Sequence, residues 1–142
     1  MSSTAILYPA IAMFTLTFGV ILALGLARYR AIQRGDVRIR FFRTYDEGSQ
    51  PARLHLLSRH AQNHFEVPPL FHVGVLLSFA SGSVSTLAVV FAWLFVVARC
   101  VHSYIHLGSN DVSRRFFTFG ASLFFLAGLW LTLLYSLLAS TP

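Results

Sequence analysis

The chain has no lysine and a single cysteine, and only five of its 142 residues are acidic. One cysteine, Cys100, excludes an intrachain disulfide. Set in an apolar run beside Arg99, it reads as a buried, inert thiol with no evident partner to lower its pKa. Without lysine, eleven arginines make up the whole basic complement and leave a formal net charge of +6. The guanidinium is a planar fork that grips carboxylates bidentately and stays protonated. A coding bias is the other reading of that choice. Charge of either sign is scarce, at 11% of residues, where soluble domains carry about 25%. With 56% hydrophobic residues and a mean hydropathy of +0.66, that scarcity excludes an ordinary soluble domain and points to a bilayer. The length suits one domain, 1–142. The arginines lie between and beside apolar runs, not on a separate basic module, which argues against a nucleic-acid partner.

Four apolar segments stand out, at about 5–27, 55–80, 84–107 and 116–138, each near the length needed to cross about 30 Å of hydrocarbon. The first is read as a span and not a cleavable leader, because no basic residue precedes it and it is too long for a leader's apolar core. The links "SGSVS" and "LGSNDVSRR" are short, so the last three spans should be antiparallel neighbours. Arg28, Arg30, Arg34, Arg38, Arg40, Arg43 and Arg53 fall in a basic first loop, about 28–53, and Arg114 and Arg115 in the third. The second loop and both termini carry no charged side chain. The positive-inside rule therefore predicts a multi-pass protein with loops one and three cytoplasmic and both termini on the opposite side.

The second and third segments carry polar stripes. At 100° per residue, Arg59, Asn63 and Glu66 share one helix face, and so do Arg99, His102 and His106. Arg115 opens the fourth segment at a similar depth. Charged groups facing lipid cost several kcal/mol, so these should face a bundle interior or a wet cavity open to the cytoplasm. Snorkelling to headgroups is the competing reading for Arg114 and Arg115, and a purely structural network is the competing reading for Glu66 with Asn63 and Arg59. Pro68 and Pro69 withdraw the helical donors of the His64 and Phe65 carbonyls, and the resulting kink should open space beside the stripe. "HAQNH" and "HSYIH" are both HxxxH pairs, a spacing that can hold one ion. Because His60 and His64 point about 100° away from the Arg59 stripe, and no carboxylate joins the second pair, no metal is expected.

"RHAQNHFEVPPLF" resembles the R-x3-N-x2-E signature on the second helix of the MAPEG superfamily, the membrane proteins of eicosanoid and glutathione metabolism. "ARCVHSYIHLGSNDVSRRF" is similar to that family's third-to-fourth-helix stretch, and the four-span layout extends the resemblance over essentially the whole chain. The resemblance implies an all-α, four-helix integral membrane bundle, assembled as a homotrimer, with glutathione as co-substrate at cytoplasm-facing subunit interfaces. By position it assigns Arg59, Asn63 and Glu66 to the tripeptide, with Arg99, His102, His106 and Arg115 lining the pocket. It matches Arg38 to the arginine that stabilises the thiolate. The chain departs from the pattern at His106, where tyrosine is usual, and at Phe119, which offers no hydroxyl. The implied activity is glutathione transfer to small hydrophobic electrophiles, or reduction of lipid hydroperoxides. The alternative is a non-catalytic protein of the same architecture that binds a lipid or a protein partner.

Overall fold

The computed structural model describes residues 2–45 and 48–139. Positions 46 and 47 of the expected 28–53 loop, and the extreme ends of the expected 1–142 domain, lie outside the described residues. A single 3-10 turn, Ser3–Ile6, leads into α1 (Leu7–Gln33). Then follow α2 (Phe41–Thr44), α3 (Ala52–Glu66), α4 (Pro68–Ala80), α5 (Thr86–Leu107) and α6 (Val112–Ala139). No strand occurs among the described residues, so the chain is all-α.

Local chemistry sets the helix ends. α1 continues past the apolar run because nothing between Arg28 and Gln33 breaks a helix, so Arg28 and Arg30 belong to its last turns and not to a loop. It stops at Gly35, whose φ of 77° suits a residue without Cβ. There Asp36 N donates to Ala31 O and Gly35 N to Ile32 O, each at 3.0 Å, the paired bonds of a Schellman cap. Gly82 (φ 68°) closes α4 the same way, with Ser83 N donating to Ser78 O at 3.0 Å. The Ser85 hydroxyl accepts from Ala88 N at the start of α5 (3.1 Å), and Asp111 Oδ1 accepts from Arg114 N at the start of α6 (2.8 Å).

Ser3–Gln33, Thr86–Leu107 and Val112–Ala139 are each long and apolar enough to cross a membrane. The expected span at 55–80 is instead two shorter helices that part at Val67. Pro68 and Pro69 occupy the first positions of α4, where a missing amide hydrogen is harmless and the fixed φ suits a new helix. α5 and α6 pack along their lengths, and α5 is the more buried of the two. Ile6, Met13, Phe71, Val75, Ala92, Phe95 and Leu129 form an apolar core in which Phe71 and Phe95 stack at 4.4 Å between centroids. A second cluster, Ala31, Val37, Phe41 and Leu54, folds the first loop back against α1. Arg28 joins it over the Phe42 ring (5.2 Å) and donates to the Tyr45 hydroxyl (3.0 Å). Cys100, expected to be buried, is exposed on the outer face of α5, because a helix turns successive residues by 100° and its neighbour Arg99 points inward.

Candidate functional site

Between α3, α5 and α6 lies a cavity of about 250 Å³. Its polar lining is Arg59 and Asn63 from α3, His102 and His106 from α5, and Arg115 from the first turns of α6; Val112, Phe116 and Phe119 complete it. Asp111 places Arg115 by capping α6, and Arg115 Nη1 is held by Asn110 Oδ1 at 2.8 Å. Asn110 takes the left-handed conformation (φ 50°) that the tight α5–α6 connection requires. Two guanidinium groups and two imidazoles thus share one cavity wall, and Val112 and Phe116 are exposed at its rim. Such a wall suits a ligand with carboxylates and an apolar portion.

Five of the eight residues expected from the sequence meet there; three do not. Glu66 is exposed at the end of α3 and is absent from the lining. Seven residues, about 10 Å along a helix axis, separate it from Arg59. Arg99 is fully buried, below the cavity and not in its wall. Its Nη2 donates to Asn63 O at 3.1 Å, its guanidinium lies 5.8 Å from the Phe119 ring centroid, and its Nε and Nη1 have no hydrogen-bond partner. Glu66 is the acidic group within electrostatic reach of it. Arg38 lines a different cavity, of about 530 Å³, with Asp36, Arg40 and Phe41 of the first loop.

The histidines converge in a way their spacing along the chain does not reveal. His60, His64, His102 and His106 are all buried and in ring contact, with His60 central. His60 Nδ1 and His106 Nδ1 share one hydrogen bond at 3.0 Å, and His64 Nδ1 bonds Thr17 Oγ1 of α1, also at 3.0 Å. His102 Nδ1 donates to the Arg115 carbonyl at 3.2 Å. The helical-wheel offset of His60 and His64 from the Arg59 stripe is real, but it turns them toward α5 and α1 and not toward lipid. A 3.6-residue period assigns faces on one helix and is silent about what faces it from the next.

A model of the MAPEG family matches residues 6–135. The chain belongs to the MAPEG family. No curated protein and no solved structure gives a significant match. The family match runs from the start of α1 to well into α6, so the cavity and the histidine cluster both lie within the MAPEG region. Membership of this membrane family agrees with the three apolar helices, and makes the chain an integral membrane protein.

Proposed function

We propose that this MAPEG-family protein is an integral membrane glutathione transferase or peroxidase acting on small hydrophobic electrophiles or lipid hydroperoxides. The observation that carries this reading is the convergence of Arg59, Asn63, His102, His106 and Arg115 on one cavity. Glutathione brings two carboxylates, an ammonium and a thiol. Arg59 and Arg115 suit the carboxylates, and a guanidinium near the sulfur favours the thiolate. The thiolate then adds to an electrophile arriving through the bilayer, and no protein nucleophile is required. At about 250 Å³ the cavity is smaller than typical ligand pockets of roughly 300–1,000 Å³. A homotrimer would supply the missing wall, and with it a first loop carrying Arg38 from a neighbouring copy. Within one chain, Arg115 already stands in the cavity wall, so it competes with Arg38 for the thiolate role.

Glutathione titration of the purified, detergent-solubilised protein, read by thiolate absorbance, tests this. Arg59→Ala should lose binding. Of Arg38→Ala and Arg115→Ala, the variant that binds but shows no thiolate identifies the stabilising arginine. A wild-type protein that binds no glutathione at millimolar ligand overturns the proposal. The non-catalytic, lipid-binding alternative would then be favoured. It has its own support in an apolar cavity of about 450 Å³ between α5 and α6, lined by Leu87, Phe91, Gly128 and Leu131 with the Tyr135 ring.

A further inference from the structure

We propose that His60, His102 and His106 form a binding site for a late first-row transition metal ion of the zinc and copper class. One ring nitrogen from each lies within 4.8 Å of the others, and all three residues are at least 98% buried. His102 shows the feature expected of a ligand: its Nδ1–H is spent on the Arg115 carbonyl, which leaves Nε2 a bare lone pair. That Nε2 is buried without any partner, as are those of His60 and His106. A buried polar atom left unsatisfied costs about 1–3 kcal/mol. Coordination through the His102 Nε2 would relieve that cost at this ring. The His60 and His106 Nδ1 atoms stand 3.0 Å apart, close to the roughly 3.3–3.4 Å between two nitrogens bound at about 2.0–2.1 Å in a tetrahedral site. If both Nδ1 atoms coordinate, the proton they now share moves to Nε2 of the ring that donates it, and both imidazoles remain neutral. A separation of up to 4.8 Å is longer than two ligands of one ion can span, so the rings must draw together as the ion enters.

The surroundings narrow the chemistry. Imidazoles favour zinc, copper and nickel over calcium and magnesium, which want oxygen ligands. Three neutral imidazoles do nothing to offset the ion's charge, and Arg99 adds a buried positive charge one turn from His102. The fourth ligand must therefore be an anion such as hydroxide. The cavity supplies its route, because His102 and His106 line that cavity as well as the cluster. The result is a three-histidine site with one open position facing water, independent of whether glutathione binds.

The experiment uses full-length protein purified without a histidine tag, stripped with chelator and reloaded separately with Co(II), Zn(II) and Cu(II) in the absence of glutathione. Metal per chain is measured after gel filtration. One ion per chain is expected, with the intense visible bands of tetrahedral Co(II) and imidazole-nitrogen couplings in the Cu(II) resonance spectrum. His60→Ala and His102→Ala should each weaken binding on the order of tenfold or more, while His72→Ala on α4, outside the cluster, should not. If the alanine variants do not fold, the wild-type spectra decide alone. Stoichiometry near zero, or the pale octahedral spectrum of oxygen ligation, overturns the proposal. Because no step involves glutathione, the metal site and the transferase reading stand or fall separately.

Discussion

Arg99 is the largest fully buried side chain among the described residues, and only Nη2 of its guanidinium nitrogens is bonded, to the Asn63 carbonyl. A buried cation so thinly partnered adds little to stability, since desolvation opposes its attractions. Arg99→Met, which keeps the volume, should change thermal unfolding in detergent by less than about 1 kcal/mol or raise stability. Arg99→Ala leaves a void under the cavity and should destabilise by about 2–4 kcal/mol in the same assay. Should both variants prove equally damaging, the charge and not the packing is what the fold needs. Thr17 makes a smaller, separable contribution, because its hydroxyl ties His64 to α1. Thr17→Val should lower stability by about 1 kcal/mol.

The interruption at Val67 divides what the apolar pattern presents as one long segment into α3 and α4. Trp130 of α6 holds the start of α4, its indole Nε1 donating to the Leu70 carbonyl at 3.2 Å. Gly74 lets the ring lie close: a Cβ there would stand 3.1 Å from Trp130 Nε1. Gly74→Ala should displace the indole, weaken that bond and lower the unfolding midpoint by an amount worth about 1 kcal/mol; an unchanged midpoint would mean the ring adjusts freely. Much of this element structure was legible in the sequence. Apolar runs located α1, α5 and α6, the Pro68–Pro69 pair marked the break, and the Arg59–Asn63 and His102–His106 spacings placed each pair on a common face. Glu66 and Arg99 were grouped with the cavity because angular position was readable and depth along the axis was not. His60 and His64 were set aside for a related reason: their partners sit on other helices, and no local period records a neighbour distant in the chain.

At the scale of the molecule, exposed apolar side chains cover α1, α5 and α6, as expected of helices surrounded by lipid or by further copies. The arginine-rich connections predict which end faces the cytoplasm. In a Cys100→Ser background, Ser109→Cys should react with an impermeant maleimide only from the cytoplasmic side, and Ser81→Cys only from the other; both residues are exposed. The reverse pattern would invert the proposed topology and place the cavity on the far side. One earlier detail supplies an optical handle on the interrupted helix. Trp130 is one of only two tryptophans, and it grips α4 within a turn of the break. In a Trp93→Phe background Trp130 is the sole indole, so a shift in its emission on adding a ligand would report, in real time, a change at its contact with α4.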